Sequence, residues 1–160
     1  MDDWRQVAVL SIGGAAGVNA RHWLGMAIAR WASPRFPWGT VAINASGSFA
    51  IGVLAVVLAR RWPDPLARLG VVTGFLGGYT TFSAFAFESF TLWERGDRPL
   101  AAANAVGSVA LGLAAVTLGV ALGRALVGPE ADGQAGAVVE RPATAGLSPG
   151  PRPRGEEFHP

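Results

Sequence analysis

Residues 74–88 read GFLGGYTTFSAFAFE, from Gly74 to Glu88. They sit inside an apolar segment of membrane-spanning length, yet they break two rules of such segments. Gly77-Gly78 is a weak point in a helical backbone, and two adjacent β-branched hydroxyl residues follow, Thr80-Thr81. The stretch then runs through Phe82, Phe85 and Phe87 to Glu88, the only carboxylate within any apolar span. In lipid, an unwound backbone persists only where its carbonyls find partners in protein, in water or on a bound ion. An ionisable group at membrane depth marks a functional site by default. The stretch therefore reads as a broken transmembrane helix at an ion site. The competing reading is a glycine kink beside an aromatic packing patch.

Outward from this segment, four apolar stretches use most of the 160 residues, of which 51% are hydrophobic and 15% charged. They are Val7 to about Ala29, interrupted by Arg21, then Thr40 to Ala59, Leu66 to Trp93 and Leu100 to Leu126. Each is of the length, about 20 residues, that crosses a bilayer core as a helix. Short connections carry Ser33-Pro34, Pro37-Trp38-Gly39, Trp62-Pro63-Asp64-Pro65 and Gly96-Asp97. The expected fold is an all-α membrane protein of four transmembrane helices over residues 1–128, with the third helix broken near Gly77–Thr81. Trp4, Trp31, Trp38, Trp62 and Trp93 fall at predicted span ends, where amphipathic rings settle at headgroup level.

The remaining composition excludes several classes. The start, MDDWRQ, is acidic and lacks the basic region of a secretory signal, so the first stretch is expected to remain in the mature protein. There is no cysteine, hence no disulfide or thiol chemistry. The positive charge is all arginine, distributed over loops and tail, which does not describe a nucleic-acid footprint. No Walker A pattern, paired-histidine site or nucleophile–base pair occurs, and His22 and His159 are isolated, so no enzyme is expected. Residues 129–160 are rich in Gly, Pro, Ala and Arg without apolar periodicity and read as a disordered tail.

Four spans place both termini on one side. That side carries Arg5, Arg60, Arg61, Arg68 and Arg124; the other carries Arg30, Arg35, Arg95 and Arg98, with Arg21 if it snorkels that way. Orientation follows an excess of positive charge, and here there is almost none. A chain without bias inserts both ways, and two opposed copies make an antiparallel, dual-topology homodimer. Such pairing would replace the internal inverted repeats of many transporters.

Polar residues recur on helix faces at four-residue spacing. Thr40, Asn44, Ser48 and Gly52 form one face of the second span; Asn104, Ser108 and Gly112 repeat the spacing on the fourth, and Gly13, Gly17 and Arg21 on the first. Small residues admit close helix packing in lipid, and Gly119 and Gly123 form a plain packing face. Asn44 is harder to read as packing, because burying an unpaired amide costs roughly 2–7 kcal/mol. Its donor end suits an anion. Phe82 and Phe85 share a face of the third span, and aromatic rings carry a positive edge.

These motifs resemble the Fluc/CrcB family of fluoride channels over about residues 9 to 124: GGAAGVNAR from Gly13, GTVAINASGSFAIG from Gly39 and GFLGGYTTFSAFAFE from Gly74. The resemblance implies a four-span protein forming antiparallel dual-topology homodimers in the plasma membrane, surrounded by lipid. It implies Asn44 as the pore asparagine, Phe82 and Phe85 as rings whose edges face fluoride, and Ser108 in a polar track. Arg21 would draw anions into a vestibule, with Glu88 beside the pathway. Gly77 and Thr80 would offer main-chain carbonyls to a structural Na⁺ at the dimer two-fold. One position departs from the family pattern: where a tyrosine is common on the fourth span, this chain has Asn104, and the resemblance assigns it no ion contact.

The implied chemistry is coherent. Fluoride is small and strongly hydrated, so a pore must replace its water with hydrogen-bond donors. Passive efflux is the implied mechanism: HF leaks inward, ionises in a more alkaline cytoplasm, and the trapped anion leaves through the channel. The alternative is a small dual-topology multidrug exporter, which relies on a carboxylate in the first span; here that span carries Arg21 instead. A non-transporting membrane scaffold would account for the glycines but not for the GGYTTFS break.

Overall fold

The computed structural model describes residues 3–128, and all their regular structure is helical. The expected tail, 129–160, lies outside the described residues. Helix α1 spans Asp3–Ala29 and α2 spans Trp38–Arg61. The third stretch is composite. Helix α3 (residues 65–79) starts as a regular turn, Pro65–Arg68, widens into a π-helix over Leu69–Leu76, and closes with the turn Gly77–Tyr79. After Thr80-Thr81 the chain resumes as α4, Phe82–Glu94, and α5 spans Arg98–Val127.

Three stretches are long and apolar enough to cross a membrane: Trp38–Arg61, Pro65–Glu94 and Arg98–Val127. Helix α1 has the length, 27 residues, but Asn19, Arg21 and His22 dilute its apolar character. The expected count of four is thus reached directly for three.

Local chemistry sets the boundaries. Asp64 caps α3, its Oδ1 accepting the Leu66 N–H at 2.9 Å, and Pro65 occupies the first turn, where its missing N–H costs nothing. Gly96, at φ +83°, makes the reversal between α4 and α5. At the far end of α5, Arg61 Nη2 donates to the Leu126 carbonyl at 2.8 Å and Arg60 Nη1 to the Gly128 carbonyl at 3.2 Å. Cations there satisfy the last carbonyls and oppose the helix dipole.

Glycine contacts give the packing directions. Val9 lies against Gly70, Gly13 against Gly74, and Gly17 against Phe75 and Tyr79, so α1 and α3 run parallel. Ser48 lies by Gly112, Gly52 by Gly119, and Val56 by Gly123, so α2 and α5 also run parallel. Helix α4 lies antiparallel to α2 and packs on α5. Arg35 Nη2 meets Asp97 Oδ1 at 3.3 Å, tying the α1–α2 loop to the α4–α5 turn. Both connections therefore lie at one end of the bundle, as an up-down-up-down path requires.

Candidate functional site

The predicted break falls inside its window, but at Thr80-Thr81 and not at the glycine pair. Gly77 keeps helical angles, φ −64° and ψ −38°, whereas Thr80 (φ −79°, ψ 158°) and Thr81 (φ −150°, ψ 113°) are extended. The physical reason lies in the side chains. β-Branched threonines suit extended backbone, while Gly78 serves contact: a Cβ there would stand 2.7 Å from the Gly14 carbonyl oxygen. Gly77 has room, with nothing nearer to such a Cβ than the Val72 carbonyl oxygen at 4.0 Å.

Two side chains from other helices hold the break. In a continuous helix the Thr81 N–H would bond the Gly77 carbonyl. Instead it donates to Asn44 Oδ1 at 2.8 Å, and Asn44 Nδ2 donates to the Thr81 carbonyl at 2.9 Å. The Ala84 N–H, which would have bonded the Thr80 carbonyl, is taken by Thr81 Oγ1 at 3.2 Å, the N-cap of α4. The freed Thr80 carbonyl accepts from Arg21 Nη1 at 3.3 Å. The Gly13–Gly17–Arg21 face of α1 thus runs along α3 and ends with its charge on the broken backbone.

Thr81 also joins two cavities. One, of about 770 Å³, is lined by Arg21, His22, Thr40, Thr81 and Glu88, among others. The other, of about 330 Å³, is lined by Asn44, Ser48, Gly77, Thr80, Thr81 and Phe82, with apolar neighbours. In the larger, Thr40 Oγ1 donates to Glu88 Oε1 at 2.7 Å, and the buried Glu88 Oε2 has no hydrogen-bond partner among the described residues. Phe82 is 78% exposed and Phe85 half-buried; their centroids are 5.6 Å apart, with planes tilted by 49°.

Ser108 lies on α5 and lines neither cavity. Its Oγ donates to Asn104 Oδ1 at 3.1 Å, and Asn104 Nδ2 donates to Ser89 Oγ at 2.9 Å. Ser89 Oγ in turn donates to the Phe85 carbonyl at 2.8 Å. The structure therefore gathers Arg21, Asn44, Gly77, Thr80, Phe82 and Glu88 around the break, and connects Ser108 to Phe85 through two residues. Sequence reading gave Ser89 no part, since a lone serine beside Glu88 carries no periodic signal. Thr81 and Thr40 were visible only as members of a motif and a stripe. His22, isolated in sequence, lines the larger cavity.

Comparison with known proteins gives an independent result. The family described as CrcB-like protein, Camphor Resistance (CrcB), matches residues 8–120. The chain is similar to the fluoride-specific ion channel FluC of Nitrobacter winogradskyi, 43% identical over 124 residues, covering 77% of this chain and 98% of that protein. It is similar to the protein of the same name from Rhizobium leguminosarum bv. trifolii, 45% identical over 122 residues, covering 76% and 98%. The one from Agrobacterium fabrum is 46% identical over 121 residues, covering 75% and 97%. The matched span runs from the glycine face of α1 through the break to the Asn104–Ser108 face of α5, and on these grounds the chain belongs to the CrcB family, as a multi-pass membrane protein.

Proposed function

We propose that this chain forms a fluoride-selective channel in the cell membrane, through which cytoplasmic fluoride leaves passively and its toxicity falls. The observation that carries this reading is the helix break at Thr80-Thr81, gripped by Asn44 and Arg21 between two cavities that each carry polar side chains in a mainly apolar lining. Relatives that share three quarters of the chain bear the name of fluoride-specific ion channels.

Arg21 raises the local potential for anions in the larger cavity. Asn44 spends one Nδ2 hydrogen on Thr81 and keeps a second for an anion. The Phe82 and Phe85 ring edges add weaker attraction without a trapping charge. Glu88, held by Thr40, borders the same path.

Helix α1 is the fourth crossing: it lies parallel to α3 along its length, from Val9 opposite Gly70 to Arg21 at Thr80. The working unit is an antiparallel homodimer. Balanced arginines favour both insertions, and Phe82, Phe87 and Phe90 leave an exposed aromatic face on α4 for the second copy. A structural Na⁺ belongs at the two-fold. The residues fit it in donor chemistry, because Gly77 has lost its intrahelical donor and the Thr80 carbonyl retains a second lone pair beside Arg21; oxygen donors suit a hard cation. When bound, the ion supplies fixed positive charge near the anion path.

Purified protein in liposomes tests the reading. Fluoride should escape down its gradient while chloride is largely retained. Equal fluxes of the two ions, or no fluoride flux, would overturn it. Reporters fused to the C-terminus and active on opposite sides should both give signal; signal from one side alone would rule out dual topology.

A further inference from the structure

We infer that Ser48 is a second hydrogen-bond donor to the anion, one helical turn from Asn44 in the smaller cavity, and that it strengthens the hold of the pathway on fluoride. Its role rests on the channel reading above. Ser48 and Asn44 share one face of α2, and both line the cavity of about 330 Å³ together with Phe82. Among the described residues, Ser48 is the half-buried hydroxyl that meets no hydrogen-bond partner. The others are all engaged: Thr40 with Glu88, Tyr79 with Ser46, Thr81 with the Ala84 N–H, and Ser108 with Asn104.

A hydroxyl inside a helix commonly turns back onto the carbonyl four residues earlier. Thr80, Ser89, Thr91 and Thr117 all do so, within 2.9 Å. Ser48 does not turn back onto the Asn44 carbonyl, so its hydrogen stays available. Across from it on α5 stands Gly112, where even an added Cβ would come only to 3.5 Å from Ser48 Oγ. The glycine thus leaves the hydroxyl uncovered, and the apolar lining residues Ile51, Val72 and Leu76 offer it no side-chain acceptor. Asn44 likewise keeps one free Nδ2 hydrogen after bonding Thr81. Side chains four apart on a helix have Cβ atoms about 5–6 Å apart, a gap that one small anion can bridge with a donor on each side. Fluoride enters only by giving up tightly held water, and each donor that replaces a water lowers that cost.

The test is the fluoride concentration dependence of flux in proteoliposomes. It compares wild type, Ser48→Ala, and Ser48→Ala combined with Gly112→Ser or with Gly112→Ala. Ser48→Ala removes the donor, so the half-saturating fluoride concentration should rise several-fold. Gly112→Ser returns a hydroxyl from the opposite helix, since its Cβ would stand 3.5 Å from the vacated Oγ position; half-saturation should move back toward wild type. Gly112→Ala adds the same Cβ without the hydroxyl and should leave the Ser48→Ala value as it is, a contrast that a packing role would not produce. An unchanged value in Ser48→Ala, or equal recovery by both Gly112 variants, overturns the inference. If the Gly112 variants do not yield folded protein, Ser48→Cys replaces them. Its thiol is close to serine in shape but a weak donor, so half-saturation should match Ser48→Ala; a wild-type value overturns the inference. A changed Na⁺ requirement in Ser48→Ala with unchanged fluoride half-saturation gives the hydroxyl to the cation and overturns it too. Wild-type protein that passes no fluoride overturns the channel reading itself. Wild-type flux without a Ser48 effect overturns only this inference.

Discussion

Asn44 pairs with both polar groups of Thr81, donating from Nδ2 to its carbonyl at 2.9 Å and accepting its N–H on Oδ1 at 2.8 Å. The side-chain amide thereby replaces the helical partners that the break removes. A mid-membrane backbone without water has few other ways to stay open.

Asn44→Asp keeps the acceptor and loses the donor, while Asn44→Leu loses both. Asp leaves the part-buried Thr81 carbonyl unpaired and Leu leaves both the carbonyl and the N–H, at about 1–3 kcal/mol each. Thermal unfolding in detergent should shift downward for both variants, more for Leu, and fluoride flux should drop with it. Wild-type stability and flux in Asn44→Leu would show that the clamp is dispensable.

The Phe82–Phe85 pair separates packing from ion contact. Ile at either position preserves apolar bulk but removes the positive ring edge. Because Phe82 is largely exposed on its own protomer, Phe82→Ile should leave the fold of the single chain intact. Flux per assembled protein should fall strongly for each variant. Normal flux per assembled protein, with assembly itself impaired, would return both rings to a packing role.

Glycines of α1 give a steric contrast. A Cβ on Gly17 would collide with the Phe75 carbonyl oxygen and stand 2.9 Å from the Tyr79 amide nitrogen, whereas one on Gly14 meets only the Gly74 carbonyl oxygen at 4.0 Å. Gly17→Ala should destabilise by about 1–3 kcal/mol, the usual range for overpacking, and Gly14→Ala should be near neutral. Comparable melting temperatures for the two variants would contradict the observed α1–α3 approach.

Cation removal tests the carbonyl site. Prolonged exchange of Na⁺ for a large inert cation should abolish fluoride flux, and returning Na⁺ should restore it. Thr80→Val should retain cation binding, since the Thr80 hydroxyl already donates to the Leu76 carbonyl at 2.9 Å and the proposed ligand is the main chain. Gly77→Ala adds a Cβ with space within the single chain, so a loss of the proposed dimer in that variant would report on the second copy. Undiminished flux after exhaustive Na⁺ removal would leave the break without a cation role.

Membrane residence, the helical class, the neighbourhood of the break and the three polar faces were all legible in the sequence. Each rests on local properties: apolar length, four-residue spacing and backbone weak points. The location of the break at Thr80-Thr81 was not legible, because Gly77-Gly78 is the weaker local sequence; the β-branched threonines suit extended backbone, and Asn44 and Arg21, 37 and 59 residues away, supply the partners that hold it open there. The π-helical widening over Leu69–Leu76 left no periodic trace, and it occurs where α1 approaches α3 on its glycine face. Ser89 meets Asn104, and through it Ser108, only because α4 folds back onto α5. Spacing along a chain determines which residues share a face. Which donor meets which acceptor is decided by contacts between helices, where each hydrogen has one place to go.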